Sequence, residues 1–440
     1  MSGSQNRRPP GRQAWAESDR PVPRLVIRPL AQFLQTESAG SVLLLLATLM
    51  ALIWVNSPWA QSYEQIWHTQ ASIRLGEYEV ANDLRHWIND GLMAVFFFVV
   101  GLELKRELLD GELRHPRKAA LPAIAALGGM LLPALIYFLL NRSGEAASGW
   151  GIPMATDIAF ALGALAFCPG VPSSLKTFLL TLAIVDDIGA IAVIALFYSR
   201  GLAWQGVGLA LVLLLFILAV RRFHERWQHL DGVRVASQLA YGVLGLGVWL
   251  AILESGVHAT LAGVALALCV RADSATNSDL ADLDEDLPQI DEELSPAERL
   301  EHSLHPLTSY GIIPLFALAN AGIEIRAETL SAAANSSVTL GVVLGLVVGK
   351  IAGISLFSLA AVRMRIGLMP EGVTSRHIMG AAALAGIGFT VSLFITGLAF
   401  DQSSLEADSK LGVMVGSLIA AAIGTMLLRR ANKQSQELPS

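Results

Sequence analysis

The chain has 440 residues, of which 53% are hydrophobic and only 15% are Asp, Glu, Lys or Arg. Soluble domains carry about 25% charged residues, so this composition excludes an ordinary water-soluble enzyme. The formal net charge of −6 provides no basic surface for nucleic acid, and the two cysteines, Cys168 and Cys269, exclude a disulfide framework and a cysteine-based zinc site. Apolar blocks fill stretches of about 20 residues, the length that crosses a bilayer. We therefore predict an all-α polytopic membrane protein.

The apolar stretches predict a domain of twelve transmembrane helices over 39–430, between polar tails at 1–38 and 431–440. The first tail is basic and has no apolar segment of the kind found in a cleaved signal peptide, so we expect it to stay in the cytoplasm. The predicted helices cover 39–56, 86–106, 118–140, 150–169, 174–199, 203–221, 236–254, 256–271, 304–322, 334–361, 376–400 and 410–430.

The basic residues indicate the orientation of these helices. With the N-terminus inside, the cytoplasmic segments hold 24 of the 31 Lys and Arg residues, the external segments hold six, and Lys350 lies within a helix. Such a bias is what the positive-inside rule requires, and removing one helix would scramble it. We expect both termini to be cytoplasmic.

Two loops have unusual sequences. The external stretch 71–81 alternates apolar and polar residues about a turn at 76–77, which predicts a short β-hairpin. An isolated hairpin is marginal in water, so we expect it to pair with something, such as another subunit. The cytoplasmic loop 272–297 contains an acidic stretch, 273–293, that reads as a solvated, disordered loop, with regulatory cation sensing as the alternative.

Four ionisable residues lie deep within predicted helices: Asp157, Asp186, Asp187 and Lys350. A charge at mid-bilayer costs about 2.5–3.5 kcal/mol even on insertion scales, so each one requires an explanation. Any single one could belong to a buried interhelical ion pair. Three carboxylates against one ammonium leave an excess of negative charge, which is what a cation site requires. Adjacent helical residues point about 100° apart, so one of the two neighbouring aspartates can meet Lys350 while the other lines a pathway.

Two of the predicted helices, the fourth and the eleventh, carry helix-breaking residues near polar ones. Gly149, Gly151 and Pro153 precede Thr156 in one, and the run GIG precedes Thr390 in the other. Most glycines in such helices serve close packing. Two interrupted helices, one in each half of the chain, instead predict an ion site at the interface of inverted repeats.

Other charged residues lie near helix ends. Glu103 and Arg106 are spaced as an i,i+3 ion pair, and Asp90 reads as a charge at a helix N-terminus. His258 lies at the start of the eighth predicted helix. Glu301, His302 and His305 lie at or just before the start of the ninth, where Pro306 and the interfacial location favour a solvated helix end over a zinc site.

Taken together, these residues resemble the NhaA-type sodium/proton antiporters of bacterial inner membranes. The similarity extends over about residues 38–402 and lies in runs that follow the family order: WINDGLMAVFF, VGLELKREL, PMATDIAFALGALA, LAIVDDIGAI, ALFY, SGVHATLAGV, RLEHSLHP, PLFALANAG, VGKIAGISLF, MPEG and GIGFTVSLFI. The resemblance implies a homodimer of twelve-helix subunits in which helices four and eleven are unwound and cross at the membrane centre. The 71–81 hairpin would be the dimerisation element.

The same resemblance assigns roles to individual residues. It implies that Asp187 is the principal Na⁺ carboxylate, that Asp186 is its neighbour and that Lys350 is the salt-bridge partner of Asp186. Thr156 and Asp157 would lie at the crossing. A further set matches positions linked to pH activation: Glu103, Arg106, His258 and Glu301. The tail 1–38 and the acidic insertion are longer than the family pattern, and the insertion lies beside this last set.

The expected function is electrogenic, pH-regulated export of Na⁺ or Li⁺ in exchange for H⁺, contributing to Na⁺ and pH homeostasis, without an enzymatic reaction or a resident cofactor. A channel would need a filter-like motif, which we do not find. An intramembrane aspartyl protease using Asp157 and Asp186 would need a GxGD motif, and this chain has VDD. A sodium-coupled solute symporter is the alternative that remains, although no cluster of recognition residues for an organic substrate is evident.

Overall fold

The computed structural model describes residues 39–75, 78–199, 201–227, 233–272, 295–400 and 404–437. The predicted tail 1–38 and the acidic stretch 273–293 lie outside these ranges. The described residues form fifteen helices and one β-hairpin, in the order α1 (Ala39–Val55), α2 (Ala60–Trp67), β1 (Gln70–Leu75), β2 (Tyr78–Asp83), α3 (Leu84–Leu109), α4 (Pro116–Leu140), α5 (Ile158–Ala166), α6 (Ser173–Tyr198), α7 (Trp204–Trp227), α8 (Val233–Glu254), α9 (Thr260–Cys269), α10 (296–320), α11 (Ala327–Asn335), α12 (Ser337–Arg363), α13 (Ser375–Leu384), α14 (Phe389–Ala399) and α15 (Ser404–Glu437). Two 3₁₀ helices, Glu112–Arg114 and Glu145–Met154, precede α4 and α5.

The described helices make a membrane-spanning bundle. Six are long and apolar enough to cross a bilayer alone, and three bent pairs raise this number to nine when each pair counts as one crossing. The bends are 116° between α1 and α2, 44° before α5 and 50° between α13 and α14. Two shorter apolar helices occupy Leu239–Glu254 and Thr260–Cys269. The count of twelve therefore stays a prediction, and the last helix continues to Glu437, beyond the predicted end at 430.

Small residues allow the central helices to approach each other closely. At the contact of α4 with α12, a Cβ added to Gly128 would lie 2.5 Å from Cγ of Phe357 and would collide with the carbonyl oxygen of Gly353. A Cβ added to Gly353 would in turn collide with the carbonyl oxygen of Gly128. Lipid tails are as apolar as leucine, so such close van der Waals packing is a main source of helix association in a membrane.

The hairpin lies between α2 and α3. Its strands pair antiparallel, with Gln70 opposite Asp83 and Leu75 opposite Tyr78. Asp83 closes the base, because its carboxylate accepts hydrogen bonds from the backbone N–H of His86 at 2.8 Å, the ring of His86 at 2.7 Å and the ring of His68 at 3.0 Å. Burial favours the neutral acid, but these three contacts outweigh it and lower the pKa of Asp83 below its ordinary value. The hairpin is thus tied to the start of α3.

The glycine contact between α4 and α12 can be tested by adding one methyl group. We expect Gly128→Ala to lower the melting temperature in detergent, because overpacking a tight contact destabilises by about 1–3 kcal/mol. Gly397→Ala is the matched control, since a Cβ there meets nothing within 4 Å and alanine favours a helix over glycine. If both variants melt at the same temperature, the packing argument fails.

Candidate cation-binding site

Two helical segments are interrupted in the middle of the bundle, and each break leaves a pair of shorter helices. After the 3₁₀ helix Glu145–Met154 the backbone is extended at Ala155, and Asp157 is the N-cap of α5 with φ −93° and ψ 102°. Pro153, which has no N–H, lies just before this break. The second break, 385–388, separates α13 from α14. A Cβ on Gly388 would lie 3.0 Å from the carbonyl oxygen of Ala155, so glycine lets the two breaks approach.

The two breaks bind to each other directly. The backbone N–H of Asp157 donates to the carbonyl oxygen of Ile387 at 2.6 Å, and the hydroxyl of Thr156 donates to that of Ala385 at 2.8 Å. A continuous helix satisfies these groups internally. The interruptions therefore release backbone groups that join the fourth and eleventh predicted helices at one point.

The Asp157 carboxylate lies at the start of two half-helices. It accepts hydrogen bonds from the backbone N–H of Phe160 in α5 at 3.1 Å and from the backbone N–H of Thr390 in α14 at 3.0 Å. The hydroxyl of Thr390 donates a further bond at 2.5 Å. Since helix N-termini carry partial positive charge, one carboxylate compensates both helix ends.

Asp186 and Lys350 form a fully buried ion pair. Nζ of Lys350 lies 2.5 Å from Oδ2 of Asp186, and both side chains have no exposed surface. Thr156 completes the group, because its hydroxyl contacts Oδ2 of Asp186 at 2.6 Å and Lys350 Nζ at 3.0 Å. The other oxygen of Asp186, Oδ1, is buried without a hydrogen-bond partner.

Asp187 is the least satisfied of the three carboxylates. It is 9% exposed, it makes no hydrogen bond within the described part of the chain, and its Oδ1 is buried without a partner. Asp187 and Glu103 line one small cavity of about 10 Å³, together with six apolar side chains from α3, α5 and α6. The residues of α3 that line it lie in the half of this helix that is farther from the hairpin.

The four residues predicted as a pH-activation set do not form one cluster. Arg106 binds Glu301 at 3.0 Å across α3 and α10, and no ion pair joins it to Glu103 among the described residues, so the interpretation as an i,i+3 pair is wrong. Arg106 pairs with Glu301 because the neighbouring helix, α10, places that carboxylate beside the guanidinium. Glu103 instead faces the cavity beside Asp187.

His258 lies at the opposite end of α3 from Arg106. Its ring contacts the carbonyl oxygen of Tyr198 at 2.8 Å. Five residues later, Gly263 packs on Ala94, so His258 is level with the start of α3. About nine residues of helix, or roughly 14 Å, separate Ala94 from the Glu103 position. His258 therefore belongs to a separate location.

The sequence analysis did not include Thr390 among the binding residues, although the structure brings it to Asp157. The available signal was the parallel between GIGFT and the earlier break, where a threonine also follows glycines. Within the described ranges no group of three or more His, Cys, Asp or Glu residues is arranged to hold a metal ion. His302 and His305 are exposed.

Comparison with known proteins agrees with this geometry. The sequence pattern of the family described as Na⁺/H⁺ antiporter 1 matches residues 31–428. The chain belongs to this family.

Relatives from several bacteria match along almost their whole length. The Na⁺/H⁺ antiporter NhaA 3 of Frankia alni is 46% identical, covering 93% of this chain and 91% of the relative. NhaA 2 of Sorangium cellulosum is 45% identical, with 96% and 94% covered. NhaA of Shewanella frigidimarina is 44% identical, with 93% and 98% covered.

A solved structure shares the fold at much lower sequence similarity. It is the sodium proton antiporter MjNhaP1 from Methanocaldococcus jannaschii, with a TM-score of 0.50 and 14% identity, covering 93% of this chain and 98% of that one. The fold of the family is thus that of a helical membrane antiporter.

The buried ion pair predicts a specific pattern of stability. Lys350→Met should lower the free energy of unfolding by about 3–5 kcal/mol, because Asp186 then keeps a buried charge without a cation. Adding Asp186→Asn should recover most of the loss. Thermal unfolding in detergent measures both variants. Lys118→Met, at a lysine whose side chain is 65% exposed, is the control and should leave the melting temperature unchanged. Equal losses in the single and double variants would contradict the pairing.

Proposed function

We propose that this chain exports Na⁺ in exchange for H⁺ and that Asp187 and Asp186 are the carboxylates that the two ions share. Sodium/proton antiport follows from membership of the family and from relatives of full length that carry that activity in their names. The observation that supports the site is the pair of buried carboxylate oxygens, Oδ1 of Asp186 and of Asp187, that lack a donor. A buried charged oxygen without a donor is stabilised by a proton or a cation.

Exchange follows if the two ions compete for these oxygens. Carboxylate and carbonyl oxygens suit a hard cation such as Na⁺ or Li⁺, so an arriving cation displaces protons, and protons displace the cation. Alternating access would then come from movement of the half-helices about the site. Three buried carboxylates and one ammonium have an excess of negative charge, so the site can bind more than one proton. We therefore propose an electrogenic exchange, to which the membrane potential contributes.

We place the protein in the bacterial inner membrane as twelve helices, with both termini in the cytoplasm. The bias of 24 of the 31 basic residues supports this orientation. The hairpin then lies outside the cell, and the end of α3 that carries Arg106 lies at the cytoplasmic surface.

We propose pH regulation through the cytoplasmic part of α3. The Arg106–Glu301 pair joins α3 to α10, and Glu103 lies between this pair and the cavity of Asp187. A change in the charge of Glu103 would therefore act on the entrance to the site. His258 lies too far from this group to belong to the same sensor.

We propose a transporter without an enzymatic reaction or a resident cofactor. Asp157 and Asp186 are held by different partners, Thr390 and Lys350, and so do not share a proton as a protease dyad does. A symporter of an organic solute is disfavoured, since the cavity at Asp187 holds about 10 Å³. A cavity of about 390 Å³ lies elsewhere, at the starts of α4 and α6.

Asp187→Asn should abolish exchange, because the amide neither carries the charge that attracts Na⁺ nor releases a proton. The measurement is recovery of ΔpH-dye fluorescence in everted vesicles on addition of NaCl, LiCl or KCl between pH 6.5 and 9. Asp110→Asn is the control at an exposed aspartate and should exchange like the wild type. Na⁺-dependent proton movement in folded Asp187→Asn would refute the assignment. No response of the wild type to any cation would refute antiport.

We propose that the hairpin joins two subunits. Replacing 71–80 by a four-residue Gly-Ser linker should shift the purified protein from dimer to monomer in light scattering after size exclusion, because a lone hairpin gains its stability by pairing. The monomeric variant should melt at about the same temperature as the diluted wild-type protein. A dimer that persists in the variant at equal concentration would contradict this role.

A further inference from the structure

A cavity other than the one at Asp187 opens at the end of the bundle opposite the hairpin, where α4 and α6 begin. Its volume is about 390 Å³, within the usual range of small-molecule sites, about 300–1,000 Å³. The first turns of both helices line it, together with the loop 368–371 that leads to α13. The hydroxyl of Ser174 in α6 donates to the carbonyl oxygen of Glu371 at 2.6 Å and ties this loop to the helix. We refer to this space as the α4–α6 pocket.

The charged side chains of the pocket are equal in number and opposite in sign. Two are basic, Arg117 and Lys118, and two are acidic, Glu112 and Glu371. Lys118 and Glu112 lie 3.6 Å apart and compensate each other. Arg117 and Glu371 make no ion pair with any residue that the structure describes. A ligand that used both of them would carry a negative group and a positive group.

The starts of α4 and α6 add positive potential to the same space. The residues before the two helices, His115 and Pro172, make no side-chain cap to the backbone N–H groups. A helix start carries partial positive charge and is a ready site for a phosphate group. The negative group of the ligand therefore belongs near Arg117 and these helix starts.

A buried hydroxyl in the pocket has no hydrogen-bond partner. Thr181 of α6 lines the pocket, is 2% exposed, and makes no hydrogen bond within the described part of the chain. Buried hydroxyls are normally hydrogen-bonded, so a polar ligand atom that reaches this depth would supply the missing partner. Seven residues separate Thr181 from Ser174, which places its hydroxyl about 10 Å further along the helix, toward the middle of the bundle.

The pocket continues into a surface that lipid covers in a membrane. Leu131 and Leu135 lie about four and five turns beyond Arg117 on the same face of α4, and they are 58% and 49% exposed. Leu368, at the edge of the pocket, is 76% exposed. Since α4 is one of the helices that cross the bilayer, its first turn lies at the level of the lipid headgroups.

We propose that the α4–α6 pocket binds a phospholipid that carries a phosphoethanolamine headgroup. Arg117 and the two helix starts hold the phosphate, Glu371 accepts hydrogen bonds from the ammonium, and the hydroxyl of Thr181 donates to an ester carbonyl. The acyl chains then lie along the exposed leucines of α4. The depth order of these groups in the protein, charges first, then a hydroxyl, then apolar side chains, is the order of groups in the lipid.

The same residues disfavour other ligands. An anionic lipid would place no positive group beside Glu371, and the charges that line the pocket sum to zero. A choline headgroup has no N–H to donate to that carboxylate. A soluble zwitterion would leave the exposed Leu368 uncovered. The proposal concerns lipid binding and does not depend on which ions the protein exchanges.

The test is native mass spectrometry of the delipidated full-length protein. Phosphatidylethanolamine, phosphatidylcholine and phosphatidylglycerol with identical acyl chains are added at equal concentration. We expect phosphatidylethanolamine to bind the wild type about fivefold more tightly than either of the others. Glu371→Gln should lose this preference, by weakening phosphatidylethanolamine about fivefold without weakening phosphatidylglycerol. Equal binding of the three lipids to the wild type, a preference for phosphatidylglycerol, or an unchanged preference in Glu371→Gln would overturn the proposal.

Arg117→Gln tests the phosphate contact. It should weaken all three lipids about fivefold, because each of them carries a phosphate. Arg114→Gln is the matched control, since this arginine is 65% exposed near the same surface and does not line the pocket. Arg117 and Glu371 are exposed, so both variants should melt like the wild type without lipid. Equal loss of binding in Arg117→Gln and Arg114→Gln would show general attraction to basic residues and would contradict the site.

Thr181→Val tests the depth of the lipid. It removes the hydroxyl at nearly constant volume, and it should weaken a phosphatidylethanolamine with ester-linked chains while leaving an ether-linked one, which has no carbonyl, unchanged. Equal loss for both lipids would contradict the contact to the carbonyl. Soluble glycerophosphoethanolamine provides the last comparison. If it binds as tightly as the lipid, the pocket takes a free zwitterion and the assignment of a lipid is wrong.

Discussion

The centre of this protein buries more negative charges than positive ones, and the structure around it depends on this imbalance. Three carboxylates and one ammonium are buried there, so each carboxylate depends on the donors that the fold brings to it. Asp157 receives two backbone N–H groups and a hydroxyl. Asp186 receives the ammonium of Lys350 and contacts the hydroxyl of Thr156. Asp187 receives nothing among the described residues. The number of hydrogen-bond donors thus falls from three at Asp157 to none at Asp187, which is why we assign the ion to Asp187 in the proposed function.

The helix interruptions follow from the same constraint. An unbroken helix uses its N–H and C=O groups internally and has none for a carboxylate or a neighbouring chain. Breaking two helices at one level supplies the N–H of Asp157 to Ile387 and the carbonyl of Ala385 to Thr156. It also places two helix N-termini at Asp157. The glycines permit the breaks to touch, as at Gly388 against Ala155.

The residue types and their spacing predicted the charges, the two breaks and the hairpin positions, because each is a local departure from an apolar helix. Partner choice could not be predicted in the same way. The angle between Asp186 and Asp187 excludes a shared direction but does not say which of them meets Lys350. Arg106 pairs with Glu301, 195 positions away, and not with a neighbour one turn away. Such choices depend on which helices pack together, and neither periodicity nor local spacing contains that information.

The two ends of α5 and of α13 differ in the kind of bond that holds them. At the inner ends the contacts involve carboxylates and an ammonium, whose strength changes whenever an ion binds or leaves. At the outer ends the bonds are neutral: His377 of α13 contacts Asn432, and Asn432 donates to the carbonyl oxygen of Pro169 after α5. Each such hydrogen bond is worth about 0.5–1.5 kcal/mol in net terms. Binding or loss of an ion at the aspartates would therefore alter the contacts at the inner ends of these helices and leave the neutral bonds at their outer ends unchanged.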